Sequence, residues 1–363
     1  MIEDIVLRLL RIPLRTPYKL AFGPVTHFDT ILMHVSADGR TGVGEATILT
    51  SYTDETVGES WARALETARE LPGISCEAAK AAIASDLNDV PFTATALTTA
   101  LEMIERHPAL QVEQSTRIPL LAGINAVDND GIADEIEKAV AAGFGTLKIK
   151  VGFDVESDLK RVRFIQVCNA GRARLRIDAN QGYDRDDGCC FASGVDPADI
   201  ELLEQPCHAE DWQSLEAVSK VTCVPLMLDE SIYSETDIER AARIGASFVK
   251  LKLMKFVSLA RLEQGLALIR DLGMEPVLGN GVASDIGCWM EACIARTQIS
   301  NAGEMNGFLR QSAPLSHPPL QVEAGTLRLS PGGDPRLDER ALEKVTIQTA
   351  RFDKTSQMTG AAT

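Results

Sequence analysis

Apolar and polar residues alternate along residues 1–16, with Ile5, Leu7 and Leu9 set against Arg8 and Arg11, and this period of two predicts a β-strand. Gly23 and Pro24 punctuate the next segment, so residues 17–29 are expected to form a loop. A second strand over 30–36, a turn at Ala37-Asp38-Gly39 and a third strand over 41–46 complete an antiparallel meander. Another loop, 49–55, leads into helices expected near 55–70, 76–87 and 92–106.

From Ile118 onward the pattern changes. Short apolar runs carrying charges near their ends recur: Leu-Lys-Ile-Lys-Val (147–151), Arg-Ile-Asp-Ala-Asn-Gln-Gly (176–182), Leu-Leu-Glu-Gln-Pro (202–206), Leu-Asp-Glu-Ser (228–231) and Val-Lys-Leu-Lys-Leu-Met-Lys (249–255). Asp178 to Glu204 is 26 positions, Glu204 to Asp229 is 25 and Asp229 to Lys252 is 23. That interval holds one strand, one helix and two loops. Helical stretches are expected over 131–142, 154–169, 185–194, 210–220, 234–244 and 257–271, with further strand ends at 276–281 and 303–307. In a barrel of parallel strands these ends meet at the C-terminal mouth, where catalytic groups sit. The chain is thus expected to divide into an α+β capping domain (1–116), a barrel (117–315) and a Pro- and Gly-rich segment (316–363) returning to the cap.

Net charge changes the picture in one respect. At −16 the chain is a poor partner for nucleic acid, whose phosphates need clustered Lys and Arg. No apolar run nears the ~20 residues that span a bilayer. The eight cysteines are scattered, with no C-x-x-C pair, and no secretory pattern is seen, so reduced thiols in a cytoplasmic protein are expected.

The charged strand ends carry the chemistry. Lys148 and Lys150 share one face of their strand, opposite Leu147, Ile149 and Val151, and so are expected to point into the barrel. Inward lysines need carboxylates or an ion to offset their desolvation. Asp178, Glu204 and Asp229 supply an oxygen-only donor set without a nearby His or Cys, which suits a hard cation: Mg²⁺ first, with Mn²⁺ as a substitute. Asn180 and Glu230 are expected to orient those ligands. Lys250 and Lys252 also share a face, and spacing does not choose between them as the reactive amine.

This set of motifs resembles the enolase superfamily, within it the muconate lactonizing subgroup of the mandelate racemase/muconate lactonizing enzyme proteins, and the likeness covers nearly the whole chain. Gly42-Val43-Gly44-Glu45-Ala46 and Pro331-Gly332-Gly333 belong to it as well. The resemblance implies a capping domain over a modified TIM-type barrel of seven β/α units and a final strand, (β/α)7β. It implies Asp178, Glu204 and Asp229 as magnesium ligands, Lys150 as the base on one face of the substrate with Lys148 beside it, and Lys252 as the acid/base on the other. Lys250 falls where relatives usually carry a small or neutral residue. Loops 17–29 and 49–55 are implied to close over the mouth, making Tyr18, Phe22, Thr26, Tyr52 and Thr53 lining candidates. Asn280, Glu304 and Asn306 are candidates from the last two strand ends. Dipeptide epimerases usually carry Asp-x-Asp at the eighth strand; Glu304 and Asn306 stand there instead.

The expected reaction is removal of the proton alpha to a carboxylate, giving an enediolate whose charge a cation steadies. Two opposed lysines make a racemase or epimerase of an amino acid derivative or dipeptide the first reading. A lyase of the same scaffold (a dehydratase of a hydroxylated amino acid, or a muconate-type cycloisomerase) is the alternative, and a non-catalytic binding barrel is the remote one. A small-molecule carboxylate substrate and a homo-oligomer are expected, without nucleic-acid or membrane partners.

Overall fold

Ile5, Leu7 and Leu9 are buried on one side of the first strand while Leu10 and Ile12 serve a second core, so this strand separates two hydrophobic layers. The computed structural model describes residues 1–20, 23–50 and 52–354. In it β1 (Ile2–Leu20), β2 (Gly23–Ala37) and β3 (Arg40–Thr47) form an antiparallel meander. Residues 17–20 and 23–29 are strand, not the loop that Gly23 and Pro24 suggested. After a bulge between Pro13 and Tyr18 the hairpin resumes, pairing Tyr18 with Val25, Lys19 with Pro24 and Leu20 with Gly23. The punctuating residues mark the tip of a long two-stranded arm, where Pro costs no ladder bond inside a sheet. Helices α1 (Val57–Glu70), α2 (Cys76–Asp86) and α3 (Pro91–Ile104) cover one face of this sheet. Here α3 lies so close to β3 that a Cβ on Gly42 or Gly44 would come within 2.1 Å of Ala100 O or 2.3 Å of Ala96 O, respectively, which explains the Gly-x-Gly.

After β4 (Thr116–Pro119), seven parallel strands stand side by side in sequence order: β5 (Ala122–Ile124), β6 (Thr146–Lys150), β7 (Arg174–Asp178), β8 (Ile200–Glu204), β9 (Leu226–Leu228), β10 (Phe248–Leu251) and β11 (Glu275–Leu278). Residues 303–304 close the ring. Gly303 N donates to Pro119 O (2.9 Å), Leu121 N donates to Gly303 O (3.1 Å), and Glu304 N donates to Leu278 O (3.0 Å). The result is a (β/α)7β barrel. Its helices are α4 (Asn129–Ala141), α5 (Val155–Asn169), α6 (Arg185–Gly194), α7 (Trp212–Val221), α8 (Glu235–Arg243), a single turn α9 (Leu253–Phe256), α10 (Leu259–Asp271) and α11 (Asp285–Gln298). Apart from α9, each starts on an Asp or Ser whose side chain accepts a backbone N–H of the first turn, a cap worth about 1 kcal/mol.

Strand alternation gives the barrel two apolar layers. Leu147, Ile149, Leu175, Ile177, Leu203 and Val249 face outward onto the helices. Leu202, Met227 and Val277 plug the barrel interior with Phe248 beside them. Above that plug the inward positions turn ionic. The chain ends with β12 (Val322–Glu323) and β13 (Thr326–Leu329), the latter pairing with β4, then α12 (Glu339–Val345) and β14 (Thr346–Asp353), which pairs antiparallel with β1. Helix α11 and strand β14 are not expected from the sequence pattern.

Candidate functional site

Asp178 and Glu204 are the last residues of β7 and β8, and Asp229 directly follows β9, so three carboxylates stand at neighbouring strand ends. Past each of the first two, the backbone turns sharply through non-glycine residues at positive φ: Asn180 (42°), Gln181 (67°) and Gln205 (39°). Such conformations persist only when neighbours fix them. Gln205 is fixed by its own side chain, whose Oε1 accepts from Asp229 N (3.0 Å) and Ser231 N (3.3 Å) while Nε2 donates to Ser231 Oγ (2.7 Å). One strained turn thereby sets the position of the next carboxylate. Asn180 donates Nδ2 to Glu230 Oε1 (2.8 Å), and its backbone N donates to Asp178 Oδ1 (2.9 Å).

Five lysines interleave with these acids. Lys148 Nζ lies 2.9 Å from both Asp178 Oδ2 and Glu204 Oε2 and 3.0 Å from Glu304 Oε2. Lys150 pairs with Asp178 at 2.6 Å and donates to Asn180 Oδ1; its side chain is 34% exposed, the most open of the group. Lys250 touches Glu304, lies 3.0 Å from Glu204 Oε1 and 3.5 Å from Asp229 Oδ2, and is buried. Lys252, just past β10, pairs with Asp229 at 2.7 Å and touches the Tyr52 hydroxyl. Lys255 donates to Asp229 O (2.9 Å) and Oδ1 (3.3 Å), under the Tyr233 ring at 4.4 Å.

Burial works against charge on the enclosed members of this cluster, and their neighbours decide the outcome. It opposes Lys148 and Lys252, yet Asp178, Glu204 and Glu304 around the first, and Asp229 and Glu230 around the second, hold both above the ordinary lysine value. Burial wins at Lys255, which falls to about 8. Glu230 rises to about 7 through burial and the nearby Asp229 and Asp178, and its Oε2 has no hydrogen-bond partner.

Among the described residues no three His, Cys, Asp or Glu side chains converge as a ready coordination shell, because ammonium groups stand between the carboxylates. The donor chemistry nevertheless fits a divalent cation. Asp178, Glu204 and Asp229 are buried, oxygen-only and held in reach of shared cations, and Glu230 Oε2 is an unsatisfied acceptor beside them.

The remaining candidates separate. Tyr52 joins the cluster, donating its hydroxyl to Asp229 Oδ1 at 3.4 Å with its ring 4.6 Å from Lys252 Nζ. Glu304 joins through Lys148 and Lys250. Asn306 lies beside it, donating Nδ2 to Leu121 O at 3.2 Å. Tyr18 reaches the edge of this space. Thr26 is exposed with its hydroxyl 3.4 Å from His27 Nδ1, Thr53 Oγ1 accepts from Glu55 N (3.3 Å), and Asn280 bonds Met254 Sδ and Val282 N; none of these three contacts the ionic cluster. Phe22 lies outside the described residues. Sequence reasoning misses Gln205, Lys255 and Tyr233 as members of the site, although Glu-Gln-Pro and Lys-Leu-Met-Lys contain two of them.

Residues 131–333 match the family described as Enolase C-terminal domain-like. Over 294 residues the chain is 30% identical to the L-Ala-D/L-Glu epimerase of Clostridium acetobutylicum, covering 77% of this chain and 82% of that protein. It is 23% identical to the N-succinyl-L-Arg/Lys racemase of Bacillus cereus over 95% of this chain and 98% of the other. The structure of a dipeptide epimerase from Cytophaga hutchinsonii, complexed with Mg and D-Ala-L-Val, superposes with a TM-score of 0.87 at 20% identity, over 97% of this chain and 100% of that one.

Proposed function

Because the chain belongs to the Enolase C-terminal domain-like family, we propose that it is an isomerase inverting the carbon alpha to the carboxylate of an amino acid derivative, with Lys150 and Lys252 as the two acid/base groups. The reading rests on one observation. Lys150 ends β6 and Lys252 directly follows β10, second and sixth of the eight positions around the closed ring, and strands four apart in such a ring stand on opposite sides. Each is tied to a different carboxylate, Lys150 to Asp178 and Lys252 to Asp229.

A neutral amine on one side takes the α-proton while the C–H electron pair moves into the carboxylate, giving an enediolate. The ammonium on the other side returns a proton to the opposite face, and the carbon is inverted. Asp178, Glu204 and Asp229 are the residues that would hold a divalent cation such as Mg²⁺ or Mn²⁺, which when bound supplies stabilisation of negative charge growing on the substrate carboxylate. Lys148 balances the charges of Asp178 and Glu204, and Tyr52 covers Lys252 from the cap.

The test is proton exchange. N-acylated amino acids and dipeptides incubated in D₂O should gain α-deuterium and lose optical rotation; a chelator should stop both and added Mg²⁺ restore them. Exchange accompanied by loss of water or ring closure would assign a lyase or cycloisomerase. Absence of exchange with every carboxylate tried would overturn the reading.

A further inference from the structure

Two ammonium groups stand between neighbouring members of the acid triad, and they are not equivalent. Lys148 joins Asp178 Oδ2 to Glu204 Oε2, each at 2.9 Å. Lys250 joins Glu204 Oε1 at 3.0 Å to Asp229 Oδ2 at 3.5 Å, the longest contact tying either lysine to these acids. Both oxygens of Glu204 therefore face an ammonium, and Asp229 Oδ2 is shared between Lys250 and Lys252. A carboxylate binds a divalent cation through those same oxygen lone pairs. Whatever bridges Glu204 and Asp229 thus competes directly with the ion.

Lys250 has a second place to go. Its Nζ also donates to Glu304 Oε2 at the position that closes the ring, and Glu304 is none of the three acids. Lys148 donates to both oxygens of that carboxylate, at 3.2 and 3.0 Å. Lys250 is 2% exposed and Glu304 7%, and an ammonium buried so deeply needs an anion beside it. Lys250 can exchange one carboxylate for another within the layer but cannot retreat to solvent. Its charge sits on a flexible four-carbon stem, so the exchange needs a turn of side-chain torsions and no backbone shift.

We propose, resting on the reading of Asp178, Glu204 and Asp229 as cation holders, that Lys250 is a built-in competitor for that site and Glu304 its receiver. Lys250 bridges Glu204 and Asp229 until a divalent cation claims them, then withdraws to Glu304 alone. The pair thereby sets how tightly the ion is held. Lys250 is a positioning residue in this scheme, acting through the ligand acids and not on the substrate.

The test measures cation affinity without substrate, on the chelator-stripped full chain, by calorimetry with Mg²⁺ and by the paramagnetic resonance of free Mn²⁺. In Lys250→Met the dissociation constant should fall roughly 10- to 100-fold, because a like charge a few ångströms from the ion is worth one or two tenfold steps even when screened. Glu304→Gln keeps every ammonium but takes away the receiver, so the constant should rise about tenfold. In the Lys250→Met background the same Glu304 change should move it by less than about threefold, since no lysine then needs receiving. An unchanged or weaker affinity in Lys250→Met, an unchanged affinity in Glu304→Gln, equal Glu304 effects in both backgrounds, or no ion bound by any of the four proteins would overturn the proposal. If Lys250→Met does not fold, Glu304→Gln alone decides. Affinities that move as stated, with no α-exchange on any carboxylate, would refute the racemase reading and leave this inference standing; exchange with unmoved affinities would do the reverse.

Discussion

Lys250 is the most informative residue to remove, because its surroundings allow the cost to be worked out. Its ammonium is 2% exposed, 3.0 Å from Glu204 and in contact with Glu304. At an effective dielectric constant of about 20, a pair at that separation is worth roughly 5 kcal/mol. Desolvating the ammonium, which costs several kcal/mol, cancels part of that. Lys148, shared by the same two acids, opposes Lys250 by like-charge repulsion and takes a further part. Lys250→Met should therefore destabilise the protein by about 3–5 kcal/mol, chiefly because two buried carboxylates lose a partner. Adding Glu304→Gln removes one of those orphaned charges, so the double variant should be more stable than Lys250→Met alone. The coupling energy is expected to reach about 2 kcal/mol. Urea unfolding with chelator present, monitored by far-ultraviolet circular dichroism and tryptophan fluorescence, measures all four corners of the cycle. A loss below about 1 kcal/mol in Lys250→Met, or strictly additive single costs, would refute the claim that this lysine holds the ionic layer together.

Lys150→Ala and Lys252→Ala should each cut racemisation by roughly a thousandfold while leaving circular dichroism unchanged, and each should retain α-deuterium exchange from only one enantiomer; equal residual exchange from both would contradict the opposed arrangement. Tyr52→Phe removes the hydroxyl between Lys252 and Asp229 and should lower kcat about tenfold with a smaller change in KM, read from steady-state kinetics. Glu45 is pushed up to about 7, first by burial, so the native state holds a proton that the unfolded state gives up near the ordinary value of 4.5. Its stabilising contribution is present below about pH 4.5 and lost as pH rises through about 7, some 3 kcal/mol in all, and Glu45→Gln should flatten the fall in urea midpoint between pH 5 and 8.

The ionic residues are legible in the sequence because the barrel writes them at a fixed interval. Asp178, Glu204 and Asp229 recur every 25–26 positions since one β/α unit consumes that much chain. The choice between Lys250 and Lys252 is not legible, since both share a strand face; depth separates them, Lys250 sitting among Glu204 and Glu304 and Lys252 at the Tyr52 level. Helix α11 escapes notice for a different reason. Asp285 through Ala295 are all buried, so no polar stripe alternates with an apolar one and the helical period is silent. Strand β14 is an edge strand with a single buried residue, Phe352, and lacks the two-residue alternation that reveals β1.

The pairing of β14 with β1, in which Ile5 meets Phe352 and Leu7 meets Ala350, makes the first sheet depend on a strand that follows the whole barrel in the chain. Until the whole barrel has been synthesised, β1 keeps a bare backbone flank, which neighbouring chains can capture. The capping sheet is therefore completed only once the barrel has been made, and low-level expression, which keeps such unfinished chains dilute, should raise the yield of correctly closed protein.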